Sequence, residues 1–86
     1  RELRIINEKG LHARASARFV ETVEQFNARA IVEKDGERVS GDSIMGLLML
    51  VAPRGSAIQV TTSGPDAEAL MQALTELVDG YFGEGG

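Results

Sequence analysis

The chain has 86 residues, 43% of them hydrophobic, with no cysteine, one histidine and a formal net charge of −4. That length supports one small core, and the apolar share is that of a globular domain rather than a disordered segment. Without cysteine there is neither a disulfide framework nor a thiolate metal site; the acidic balance speaks against a nucleic-acid binder, and no apolar run approaches the ~20 residues that a bilayer requires.

Arg1-Glu2-Leu3-Arg4 lacks the basic and apolar regions of a secretory leader, so the expectation is a single cytosolic domain over residues 1–86. Leu3 and Ile5 alternate with Glu2 and Arg4, the period of a half-buried strand. Asn7-Glu8-Lys9-Gly10 breaks that period as a loop. From His12 the period lengthens: Phe19, Val23 and Phe26 share one helical stripe, Ala13, Ala17 and Val20 an adjoining one, while Arg18, Glu21 and Glu24 occupy the other face. Ala28–Lys34 and Glu37–Ser40 have the pattern of two strands, and Asp35-Gly36 between them is the dipeptide favoured in a two-residue type I′ hairpin.

Gly41-Asp42-Ser43 opens a short helix running from Ile44 to about Ala52, with Ile44, Leu47, Leu48 and Val51 as its stripe. Pro53-Arg54-Gly55 stops it, because proline lacks the N–H and restricts the residue before it. Ile58, Val60 and Thr62 alternate as a fourth strand. Gly64-Pro65-Asp66 then starts a last helix, with Leu70, Leu74, Leu77 and Tyr81 as its buried stripe and Gly80 as its C-terminal cap. Residues 83–86 are expected to form a loose tail. The order is therefore βαββαβα, an α+β fold in which helices cover one face of a four-stranded sheet, and the hairpin makes the second and third strands antiparallel.

The chemistry concentrates where the first loop meets the first helix. His12 falls at the N-cap or first turn, where backbone N–H groups lack intrahelical partners and favour an anion. Arg14 adds a planar fork of donors that matches phosphate oxygens. A neutral imidazole is a competent nucleophile near neutral pH, and a nucleophile beside a preformed anion site is what reversible phosphoryl transfer requires. A capping or surface histidine accounts for the spacing as well. One histidine without cysteine makes a poor metal site, and Ser16 has no orienting acid nearby in the chain with which to build a hydrolytic triad.

Gly10-Leu11-His12-Ala13-Arg14-Ala15-Ser16-Ala17-Arg18-Phe19-Val20 closely resembles the active-site segment of the HPr family, the histidine-containing phosphocarriers of the bacterial phosphotransferase system. Asp42-Ser43-Ile44-Met45-Gly46-Leu47-Leu48-Met49-Leu50 resembles the family's regulatory-serine segment, and the spacing of the two blocks and the element order match as well. The resemblance implies an open-faced β-sandwich with strand order 1-4-2-3. It implies that His12 accepts a phosphoryl group on Nδ1 from enzyme I, itself charged by phosphoenolpyruvate, and donates it to an EIIA-type domain. Arg14 would stabilise the phosphate, with the backbone N–H groups of Ala13, Arg14 and Ala15 holding it. Ala15 stands where many members have proline; alanine keeps the helix and adds a donor, so altered local rigidity rather than lost function is expected.

Ser43 has the position of a helix N-cap, and the resemblance adds phosphorylation there by an HPr kinase/phosphorylase. Met45, Leu48 and Met49, with Arg18 and Arg54 at the rim, make the expected partner surface, because adaptable thioether side chains suit a carrier that fits several partners in turn. The expectation is thus a monomeric, stoichiometric carrier without cofactor or metal, rather than an autonomous enzyme. Two other readings stand beside it. One is a nitrogen-related regulatory phosphorelay member, towards which Leu47-Leu48-Met49-Leu50 leans; the other is an unrelated α+β interaction module in which His12 is only a cap.

Overall fold

A computed structural model describes residues 1–84. The elements are β1 (Glu2–Arg4), α1 (Ala13–Glu24), β2 (Arg29–Lys34), β3 (Glu37–Ser40), α2 (Ile44–Met49), β4 (Ala57–Ser63) and α3 (Ala67–Asp79), followed by a 3₁₀ turn at Tyr81–Gly83. The strands form one antiparallel sheet in the order β1-β4-β2-β3. Leu3 faces Ile58, and Val32 faces both Val39 and Val60 across the register. Asp35 and Gly36 carry φ of 51° and 84°, the paired left-handed conformation of the type I′ turn expected there.

Alternation decides which face of the sheet is covered. Leu3, Ala30, Val32, Ile58 and Val60 are buried with Phe19, Leu47, Leu70, Leu74 and Val78 in one core, while Glu2, Arg4, Arg29, Gln59 and Thr61 stay exposed on the opposite face. The sheet is therefore covered by helices on one side and open on the other, as the α+β reading expects.

Three packing details differ from the periodic reading. In α1 the buried side chains are Ala15, Ser16, Phe19, Val20 and Val23, whereas Ala13 is exposed and Phe26 only partly buried beyond the helix end. The inward stripe is rotated because Ser16 turns its hydroxyl onto the Leu11 carbonyl at 3.3 Å and so tolerates burial. Helix α2 ends at Met49, short of Ala52: Leu47 and Leu50 point inward, while Ile44 and Val51 are exposed. Helix α3 buries Leu70, Leu74 and Val78, and Gly80 is its C-cap as expected, but Tyr81 lies outside the stripe and Phe82 enters the core instead.

Phe82 can do so because the chain reverses hand. Tyr81, Phe82 and Gly83 have φ of 59°, 52° and 78°, so three successive residues lie in the left-handed region. For Tyr81 and Phe82 this costs roughly 1–2 kcal/mol each, and the complete burial of the Phe82 ring, about 1.5–3 kcal/mol, offsets much of it. The expected loose tail is thus overturned for Gly83 and Glu84, which this turn ties down; residues 85 and 86 lie outside the described residues.

Val51 occupies the same left-handed region, at φ 51°, with a β-branched side chain that is 71% exposed. Little packing compensates the strain there. Val51→Gly should stabilise the fold by about 1 kcal/mol, which corresponds to roughly 4–8 °C in thermal midpoint for a domain this size. A thermal melt of the variant that shows no rise would remove the backbone argument at this position.

Candidate functional site

The loop from Asn7 to Leu11 presents His12 at the head of α1. Gly10 is left-handed, at φ 67°, and packs its α-carbon against the Ala52–Pro53 backbone, while Leu11 N–H donates to the Ala52 carbonyl at 2.9 Å. His12 is thereby held as the N-cap of α1, with extended φ and ψ of −81° and −173°. Its ring does not cap the helix: no side-chain hydrogen bond reaches the first turn. The first intrahelical bond runs from Ser16 N–H to the His12 carbonyl at 2.8 Å, and the N–H groups of Ala13, Arg14 and Ala15 donate to no other group among the described residues. Three unpaired donors at the positive end of a twelve-residue helix favour an anion.

The imidazole is partly open to solvent, with 28% of the side chain exposed. It borders a cleft of about 150 Å³ lined by Glu8, Lys9, His12, Arg14 and Glu84. Nδ1 lies 3.2 Å from the Gly10 carbonyl oxygen. Nε2 lies 3.0 Å from Glu84 Oε2, in a carboxylate that is only 11% exposed. That oxygen makes no hydrogen bond among the described residues, so it stands close to the ring with its acceptor capacity open. The other oxygen, Oε1, accepts from Asn7 Nδ2 at 3.1 Å, and the same amide nitrogen donates to the Gly10 carbonyl at 2.8 Å. Asn7, fully buried, therefore joins the loop below His12 to the C-terminal turn.

Arg14 is exposed on the cleft and forms no ion pair among the described residues, so its guanidinium is free to meet an oxyanion. Arg18 is also exposed; its guanidinium stands against the C-terminal turn, 3.6 Å from where a β-carbon on Gly83 would lie. Ala15 is completely buried beneath the first turn, where its methyl packs into the core. On α2, Met45 and Met49 are 68% and 64% exposed, Leu48 is half-buried, and Arg54 is exposed on the turn beyond. Val51, Ala52 and Pro53 reach the ring from that side, with Lys9 and Leu11 completing the wall. Ser43 caps α2 as its position implies: Oγ accepts from Gly46 N–H at 3.0 Å.

Sequence reasoning missed Asn7, Lys9 and Glu84. Lys9 carries a readable signal, a cation three residues before the histidine in the same loop. Glu84 carries none, because only the reversed turn at Tyr81–Gly83 brings the end of the chain back to its beginning. Chemically, a partly exposed imidazole beside open helical N–H groups and an unpaired guanidinium can accept and release a phosphoryl group.

The domain is an open-faced α+β fold with one partly exposed histidine at the head of its first helix. Residues 1–79 match the family described as the PTS HPr component phosphorylation site. The chain is 52% identical over 83 residues to the phosphocarrier protein HPr of Neisseria meningitidis, covering 96% of this chain and 93% of that protein. It is 42% identical over 85 residues to the phosphocarrier protein HPr of Cupriavidus necator, covering 99% and 96%. The crystal structure of HPr from Thermoanaerobacter tengcongensis superposes with a TM-score of 0.93 at 38% identity, over 98% of this chain and 94% of that one. The chain belongs to the HPr family of phosphocarrier proteins. The unrelated interaction module is thereby set aside, and the strand order implied by the resemblance is the one observed.

Proposed function

We propose that His12 is the phosphoryl acceptor of this phosphocarrier, taking the group on Nδ1 from enzyme I and passing it to an EIIA-type domain of the phosphoenolpyruvate-dependent phosphotransferase system. The observation that carries the reading is the imidazole in an open cleft at the head of α1, beside three N–H groups without partners. In this reading the backbone of Ala13, Arg14 and Ala15 and the Arg14 guanidinium receive the phosphate oxygens. Charge-assisted bonds of that kind stabilise the dianion without forming a new covalent bond of their own. The protein acts stoichiometrically, as a cytoplasmic monomer: each cycle charges and discharges one ring, and no small substrate is turned over. Among the described residues no helix is long and apolar enough to cross a membrane, and no cluster of ligating side chains suits a metal ion.

Incubation with enzyme I, magnesium and phosphoenolpyruvate should add one acid-labile phosphate, mapped to the His12 ring nitrogen by NMR. Label that is acid-stable, or that maps elsewhere, would overturn the assignment.

Docking in this reading uses the exposed Met45 and Met49 of α2, with Leu48, Arg18 and Arg54, which offer adaptable apolar contact together with positive charge. Ser43, the N-cap of α2, is in this reading the site of regulatory phosphorylation by an HPr kinase/phosphorylase. A phosphate at the head of α2 still accepts the Gly46 N–H, so the fold survives while the added charge opposes an acidic partner. Ser43→Ala removes the cap and should cost about 1 kcal/mol in a denaturant titration, abolish labelling by kinase and ATP, and leave His12 charging intact. Continued labelling of Ser43→Ala would move the regulatory site elsewhere.

A further inference from the structure

The buried carboxylate of Glu84 serves no purpose in the transfer chemistry derived so far, yet its unpaired oxygen points at the reacting ring. A neutral imidazole carries one proton, and here two acceptors compete for it. The Gly10 carbonyl stands 3.2 Å from Nδ1, and Glu84 Oε2 stands 3.0 Å from Nε2. The two are unequal. The carbonyl is uncharged and already accepts from Asn7 Nδ2 at 2.8 Å. The carboxylate oxygen is charged, buried and without any other donor. Charge-assisted hydrogen bonds are roughly twice as strong as neutral ones, and a buried anionic oxygen left unpaired is costly. The proton is therefore drawn to Nε2, and Nδ1 is left with its lone pair.

We propose that Glu84 is a positioning residue that holds the His12 ring in its Nε2–H tautomer throughout the phosphoryl cycle. The inference rests on the reading of His12 as the acceptor. The electron balance shows why this tautomer matters. In charging, the Nδ1 lone pair forms the N–P bond while the bond to the donor breaks and its pair returns to the donor. The ring then carries a positive charge with its proton still on Nε2, facing Glu84. In discharging, the N–P pair returns to Nδ1 and the ring leaves as a neutral imidazole. No proton has to move in either direction. With the proton on Nδ1 instead, no lone pair would be available there for attack.

The turn that delivers Glu84 fits this role. Its three left-handed residues are held by the buried Phe82 ring, and Asn7 fixes Oε1 from below, which keeps Oε2 3.0 Å from Nε2. Glu8, Lys9 and Arg14 are the other charged groups of the cleft. They line its rim, whereas the Glu84 carboxylate reaches the ring itself, 3.0 Å from Nε2.

The first measurement is made on the uncharged protein, by nitrogen-15 NMR of the His12 ring in its neutral form. The parent chain should show Nε2–H as the dominant tautomer. Glu84→Ala should lower that preference by about five- to tenfold, and Glu84→Gln, which keeps an acceptor oxygen, should recover part of it. The second measurement is steady-state charging by enzyme I. Glu84→Ala should lower kcat by a similar factor with KM for the carrier unchanged, while the thermal midpoint stays near that of the parent because Phe82 is retained. An unchanged tautomer ratio overturns the proposal, and so does an effect confined to KM, which would make Glu84 a docking contact. A parent chain that enzyme I fails to charge would sink the acceptor reading instead, and the NMR comparison would still decide the role of Glu84.

Discussion

His12→Ala is expected to take up no acid-labile phosphate from enzyme I while remaining folded to within about 1 kcal/mol of the parent. The loss is complete because His12 is the only histidine in the chain, so no second ring can stand in. The stability cost is small for structural reasons. The ring makes no capping bond to α1, is partly open to solvent, and stands beside a carboxylate whose other oxygen keeps its bond from Asn7. Removing a residue that holds the core would instead cost about 3–5 kcal/mol for an aromatic such as Phe19. The informative comparison is therefore a labelling assay and a denaturant titration on the same preparation. Phosphate uptake by a well-folded His12→Ala chain would refute the acceptor assignment outright.

Much of the frame follows from local pattern. The Asp35-Gly36 hairpin, the alternation in β4 and the cap at Ser43 each depend on a few neighbouring residues, and each has the expected geometry. Strand order does not follow from pattern. Nothing in the alternation of β1 says that it pairs with β4 rather than β2, and only the family resemblance supplied that pairing. Helix boundaries were legible to about a turn. The stripe Ile44, Leu47, Leu48 and Val51 looks helical throughout, yet the chain leaves the helix at Met49, because Leu50 and Ala52 are the residues drawn into the core.

The candidate site divides along the same line. His12, the first-turn amides and Arg14 are contiguous, so their proximity is a property of one helical turn. Asn7 and Glu84 meet the ring only through tertiary structure. Tyr81 and Phe82 both continue a plausible apolar stripe for α3, and periodicity favours Tyr81, but the left-handed turn after Gly80 sends Phe82 inward. Gly83 and Glu84 have the composition of a loose tail, and the buried Phe82 ring beside them is enough to bring Glu84 against the first loop.

Gly10→Ala should be the most damaging single methyl in the active-site loop. Gly10 lies at φ 67°, a conformation that costs a residue with a side chain roughly 1–2 kcal/mol. The added carbon would also fall 2.5 Å from the Ala52 carbonyl oxygen and 2.8 Å from Pro53 Cα, both backbone atoms that cannot rotate aside. Relief requires the two loops to separate, which stretches the 2.9 Å bond from Leu11 N–H to the Ala52 carbonyl. Overpacking of this kind adds about 1–3 kcal/mol, so a total near 2–5 kcal/mol is expected, a large fraction of the stability of a domain this small. The functional consequence is distinct from that of His12→Ala. Gly10 O faces Nδ1 and is held by Asn7, so moving this loop displaces the ring from the helix amides as well as from Glu84. At a temperature where the variant is still folded, charging by enzyme I should be slowed by tenfold or more rather than abolished, because the nucleophile itself remains. A melt and a charging rate both equal to the parent would show that the loop yields without strain, and the close approach of Gly10 to Ala52 and Pro53 would then have no energetic weight.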